Sequence, residues 1–172
     1  AVVFAVGAAV GLRDISTRQL GDIYSGKITN WKDLNASPGE IRVLARQPQE
    51  ASFTVIKNRI EAFRTLALSP DAKIAASDPA MLDMLERFPT AIGFAAGSNL
   101  DGTRTLQVLS VDGIAPAAAM LASGKYPLST QYGLIYREKQ LTAAARAFID
   151  FIFSDGGRKV LEAHDTVPVK RP

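Results

Sequence analysis

LRDISTRQLGDIYSGKITNWKDL, Leu12–Leu34, is the stretch around which the rest of the chain can be ordered. Ser16 and Gln19 have capping-box spacing, and Leu20, Ile23 and Tyr24 follow at helical intervals. Gly26 ends that short helix. Trp31–Leu34 reads as one more turn, α or 3₁₀. The run Tyr24–Leu34 is too polar for a core strand and too short for a catalytic motif, yet it holds the only tryptophan.

Outward from this stretch, strands and helices alternate. Val2–Val6 upstream is a continuous apolar strand of the kind covered on both faces. The chain opens abruptly on it, as if upstream sequence had been removed. Downstream, Ser37–Gly39 marks a loop and Ile41–Ala45 a strand. A helix opens near Ser52, with Ile56, Ile60 and Phe63 as its apolar stripe. Asp78 and Pro79 read as an N-cap followed by a first-turn proline, and Met81, Leu82 and Leu85 as that helix's buried face. Ala91–Ala95, Thr105–Val111 and Thr130–Arg137 read as strands, and Ala115–Ser123 as a helix ended by Gly124. Leu141, Ala145, Phe148 and Ile152 stripe a helix that Asp155-Gly156-Gly157 should break, before a last helix over Arg158–His164. The alternation predicts an α/β fold with a mostly parallel sheet flanked by helices.

Composition narrows the function. The 172 residues are 47% hydrophobic and 22% charged, enough for a sizeable core. The net charge of +3 comes from scattered basic residues, not from runs with interleaved aromatics, so nucleic acid is not the expected partner. With no cysteine there are no disulfides, thiolate metal sites or cysteine nucleophiles. The longest apolar run, Ala1–Val10, is too short to span a bilayer, and no charged segment precedes it.

Constellations for chemistry are missing. His164 is the only histidine and suits a helix end. The chain has no G-x-S-x-G elbow, no GxGxxG and no Walker A run. Asp83 and Glu86 lie on a solvated helix face. No enzyme, metal or cofactor is expected. One segment can hold an anion: ARQPQEASFTV, Ala45–Val55, runs from a strand end to a helix start. Free amides at a helix N-terminus attract oxyanions, Ser52 and Thr54 add hydroxyls, and Arg46 adds a planar fork. The plainer alternative stays open, in which Ser52 caps a helix, Thr54 sits in its first turn and Arg46 is a surface charge.

The opening stretch resembles a signature of the PstS-like periplasmic phosphate-binding proteins, with Leu20, Ile23, Gly26, Ile28, Asn30 and Trp31 in its key positions. AIGFA at Ala91–Ala95, DGIAPAAAMLASGKYPLSTQYGLIY at Asp112–Tyr136 and the closing ARAFIDFIFSDGGRKVLEAHDTVPV are similar to further segments of that family. The resemblance implies a type II periplasmic-binding-protein-like fold, two α/β lobes joined by crossover strands with an oxyanion between them. Its Arg, Ser and Thr anion contacts map to Arg46, Ser52 and Thr54. Phe53 stands at the family's glycine, so that position is counted in the site. Val55 stands where an Arg often follows, and the loop from Arg46 to Ser52 is longer.

The resemblance also implies phosphate or a related oxyanion as ligand, an ABC transporter permease as partner, and a periplasmic or extracytoplasmic location with the signal peptide outside this chain. Most of the family's first lobe is not matched. The implied division is a crossover region at 1–14, a second-lobe domain at 15–125, and a return crossover with C-terminal helices of the first lobe at 126–172. Ala1–Val10 and Pro127–Arg137 should then show apolar faces for a homo-oligomer or partner chain to cover. The competing expectation is a structural or signalling interaction module that kept the fold and lost anion binding.

Overall fold

The computed structural model describes residues 1–100, 102–164 and 166–169. An unbroken apolar run needs cover on both faces, and β1 (Val2–Gly7) has it, with all six residues buried. After it come β2 (Asp14–Ile15), α1 (Thr17–Tyr24), β3 (Arg42–Ala45), α2 (Ala51–Arg59), α3 (Glu61–Arg64), β4 (Lys73–Ile74) and α4 (Asp78–Arg87). They are followed by β5 (Ala91–Ala96), β6 (Leu106–Val108), β7 (Ser110–Val111), α5 (Ala118–Ala122), α6 (Ala143–Phe153) and α7 (Asp155–Ala163).

Five strands form one sheet in the order β4-β3-β5-β1-β6, and β2 pairs with β7 in a separate parallel ribbon. β3 is parallel to both β4 and β5, while β1 is antiparallel to both β5 and β6. Four strands therefore run one way and β1 the other. The expected α/β fold with a mostly parallel sheet is present; the reversal of one strand is a long-range fact that alternation along the chain does not carry.

Two cores sandwich this sheet. Val2, Phe4 and Val6 point into one, with Leu20, Ile23 and Tyr24 of α1, Phe53 and Ile56 of α2, and Phe63 of α3. Val3 and Ala5 point into the other, with Met81 and Leu85 of α4. The period-two alternation of β1 is thus satisfied on both sides. In the first core Phe4 meets Tyr24 and Phe94 edge-on, with ring centroids 5.9 and 5.8 Å away. The Tyr24 hydroxyl donates to the Leu44 carbonyl at 3.1 Å, and burial pushes its phenol well above the ordinary tyrosine value.

The opening stretch folds as its residues direct. The Ser16–Gln19 capping box is complete, and Gly26 takes the left-handed conformation at φ 80° that ends the turn. Trp31–Leu34 is a 3₁₀ turn capped by Asn30, whose side-chain oxygen accepts from the Lys32 amide. Trp31 is fully buried and donates its indole N–H to the Thr90 carbonyl at 2.9 Å. It therefore ties this turn to the entrance of β5.

Several boundaries differ from expectation. Thr105–Val111 is two short strands, because β6 pairs with β1 whereas β7 pairs with β2. Ser77, not Asp78, caps α4, its hydroxyl accepting from the Ala80 amide. The stripe from Ile56 to Phe63 is interrupted, since α2 ends at Arg59 and Ile60 joins it to α3. The expected helix over Ala115–Ser123 is shorter, α5 running over Ala118–Ala122. The expected break falls one residue earlier, at the extended Ser154 between α6 and α7, and Asp155-Gly156-Gly157 opens α7, the Ser154 hydroxyl accepting from the Gly157 amide. In α6 Ile149 is buried while Phe148 of the expected stripe is 58% exposed.

The two runs expected to show uncovered apolar faces part company. Ala1–Val10 supplies β1, which lies inside the sheet with both faces covered, so that expectation fails there. In Pro127–Arg137, Leu128 is buried in the core, whereas Tyr132, Leu134, Ile135 and Tyr136 are exposed, and Thr130–Arg137 is not a strand, since none of its residues joins a β-ladder. Within the expected C-terminal region, Asp165 and Lys170–Pro172 lie outside the described residues.

Candidate anion-binding site

β3, β4 and β5 run in the same direction, so the segments after them gather at one edge of the sheet. This is the edge where open α/β sheets hold ligands. Arg46 follows β3 directly, Asp78 opens α4 after β4, and Asn99 lies in the turn after β5. The Arg46 Nη1 donates to Asp78 Oδ1 at 2.7 Å, and the Asn99 side-chain amide donates to Asp78 Oδ2 at 2.9 Å. Asp78 thus links the three segments and fixes the guanidinium.

Arg46 is buried, only 7% exposed, which corrects its alternative reading as a surface charge. Its Nη2 lies 3.7 Å from Glu50 Oε1. Its Nε is buried without a hydrogen-bond partner. A guanidinium carries five donors, so one at this position retains capacity for another acceptor.

Glu50 occupies the start of α2. Its side chain, not that of Ser52, caps the helix. Oε2 accepts from the Ser52 amide at 2.9 Å and also from the Ser52 hydroxyl. The Phe53 amide and the charge of Arg46 favour the same carboxylate. Burial pushes the Glu50 carboxyl up, but the Ser52 hydroxyl and amide, Arg46 and the Phe53 amide together outweigh it and hold the group below its ordinary value.

The four residues singled out in the sequence therefore meet different fates. Arg46 and Ser52 come together around one carboxylate. Phe53 turns its ring into the core, stacked on Phe94 at 5.7 Å and edge-on to Phe63 at 6.3 Å, so only its backbone reaches the mouth. Thr54 is exposed in the first turn of α2, and its amide is taken up by the Glu50 carbonyl. Glu50, Asp78 and Asn99 were not foreseen as site residues. An acidic residue immediately before a helix was the available signal, but Glu ranks below Ser as an N-cap, and cap preference pointed to Ser52.

Among the described residues no group of three or more His, Cys, Asp or Glu side chains could hold a metal ion. No helix among them is long and apolar enough to cross a membrane.

Comparison with known proteins supports the resemblance read from the opening stretch. The chain is 30% identical over 156 residues to the phosphate-binding protein PstS of Bacillus subtilis (strain 168), covering 90% of this chain and 50% of that protein. It is 22% identical to the phosphate-binding protein PstS of Borreliella burgdorferi, covering 99% of this chain and 63% of that one. The chain thus spans about half to two thirds of the curated relatives it matches. Among solved structures, a substrate-binding protein from Clostridium perfringens assigned to phosphate ABC transport, crystallised with phosphate, superposes with a TM-score of 0.84 at 24% identity. That match covers 98% of this chain and 68% of that one. An ABC-type phosphate transport receptor from Vibrio cholerae matches with a TM-score of 0.74 at 20% identity, over 98% and 69% of the two chains. The family described as the PBP superfamily domain matches residues 1–156, and the chain belongs to that superfamily.

Proposed function

We propose that the chain acts as the solute-binding component of an ABC transporter for phosphate or a related oxyanion. It holds the anion by charge and hydrogen bonds, performs no covalent chemistry on it, and presents it to a membrane permease from the periplasmic or extracytoplasmic side. Residues 15–125, with β1, Tyr126 and Leu128 packed into the same core, serve as one lobe of the binding protein, and the residues after 128 belong with the other. The seat of the anion is the start of α2. Arg46, the amide and hydroxyl of Ser52, the amide of Phe53 and the exposed hydroxyl of Thr54 are its ligands.

One observation carries this reading. A buried guanidinium and the first amides of a nine-residue helix converge on a single pair of carboxylate oxygens, those of Glu50. A carboxylate presents the same two-oxygen edge as a phosphate or sulfate, so the mouth has the donor set an oxyanion requires. The phosphate-binding names of its relatives agree with that chemistry.

A second reading has its own observation. Two carboxylates, Glu50 and Asp78, surround one guanidinium, which leaves one negative charge in excess beside the mouth. That excess opposes a dianion and favours an interaction module of the same fold that no longer captures solute. Thermal melts in phosphate, sulfate and molybdate separate the two. An anion that binds only the folded chain raises its stability by RT ln(1 + [L]/Kd), about 2.7 kcal/mol at a hundredfold excess over Kd. A rise in Tm with at least one anion is expected; no rise with any of them, at concentrations up to the high millimolar range, leaves the interaction module.

A further inference from the structure

We propose that Glu50 is a tethered competitor for the anion seat, a residue that sets affinity and selectivity by holding the place of the solute. This rests on the assignment of that seat to the start of α2. The carboxylate takes the Ser52 amide and the Ser52 hydroxyl, and faces Arg46 through Nη2. These are the donors an incoming oxyanion would use, so the two cannot be bound at once.

The backbone around Glu50 is fixed independently of its side chain. The Glu50 amide donates to the Gln47 carbonyl at 3.0 Å, and its carbonyl accepts from the Thr54 amide at 2.9 Å. The side chain is 26% exposed and borders solvent. Rotation about its own bonds can carry the carboxylate out with no change in the helix. Arg46 does not follow, because Asp78 grips its Nη1. Departure of Glu50 leaves Arg46 Nη2 without that carboxylate, its Nε already unpartnered, beside a helix start whose Ser52 amide is open. It also removes the excess negative charge from the donors.

A plain helix cap is a different device and behaves differently. Replacing a cap alters stability and leaves anion affinity alone. A tethered competitor alters affinity, because its local concentration, set by a tether of a few bonds, must be overcome by every solute molecule.

Titration calorimetry with inorganic phosphate and with sulfate on the wild type, Glu50→Gln and Glu50→Ser tests this. Gln keeps the length and one cap acceptor without the charge; Ser keeps a strong cap and withdraws the side chain from the mouth. Far-UV circular dichroism on each protein establishes that it is folded, and either variant alone suffices if the other is not. The expected order of phosphate affinity is Ser above Gln above wild type, with at least a tenfold gain for Ser. A wild type that binds no anion beside a variant that does also supports the competitor, and assigns the wild type to the non-capturing module. Equal affinities within twofold overturn the competitor while leaving solute capture standing. Folded variants and wild type that all fail to bind either anion overturn both.

Discussion

Residues 1–128 and the residues after them obey the same local rules and end in opposite states. The first part buries Trp31, Tyr24, Tyr126, Phe4, Phe63 and Phe94 completely. After residue 128, Ile149 is the one hydrophobic side chain in the core among the described residues, while Tyr132, Ile135, Phe148 and Phe151 are half or more exposed. Caps form in both parts: Ser16 and Ser77 in the first, Thr142 and Ser154 in the second. Caps need only their own turn of chain. An apolar stripe or a strand needs a neighbour to complete it, and the second part lacks that neighbour within the described chain. Periodicity states what an element can pair with; it does not supply the partner.

The contrast is sharpened most by truncating one phenyl ring in each part. Phe94→Ala removes a fully buried ring that packs on Phe4 and Phe53, and should cost about 3–5 kcal/mol in denaturant unfolding. Phe148→Ala should cost less than about 0.5 kcal/mol. Comparable losses would erase the distinction between the two parts.

A smaller loss is expected at the junction of loops above the sheet. Arg46→Ala leaves the Asp78 and Glu50 carboxylates without their shared counter-charge. It should lower stability by about 2–3 kcal/mol, less than a fully buried pair would lose, because both acids are partly exposed. This differs from a surface arginine, whose loss would scarcely register in the same unfolding curves.

The smallest effect concerns acid. The Glu50 carboxyl is held below its ordinary value in the folded chain, so the stability it contributes is present above the ordinary carboxylate range and is lost as the pH falls through it. Glu50→Gln should flatten that part of the stability–pH curve by less than about 1 kcal/mol. An unchanged acid limb would mean that the Ser52 and Arg46 contacts do not favour the ionised form.

Much of the first part was legible because its signals are local or self-consistent. Ser16 and Gln19 are three residues apart and need nothing else. Val2–Val6 is apolar throughout, which already says that two faces are covered, although not by what. The direction of β1 and its place between β5 and β6 depend on residues roughly ninety positions away, and no local rule reaches them. The site was half legible. Arg46 and Ser52 follow from strand-to-helix geometry, whereas the low rank of Glu as a cap hides Glu50, and Asp78 reads as the cap that Ser77 provides. Thr130–Arg137 reads as a strand but has no ladder to join.

The solitary indole of Trp31 has a further use. Sealed from solvent and tethered to the Thr90 carbonyl, it is the sole strong fluorophore of the chain. Its emission maximum is a gauge of the clamp between the 3₁₀ turn and the start of β5, read without labels. Light from the C-terminal helices cannot blur that gauge, since they hold no tryptophan.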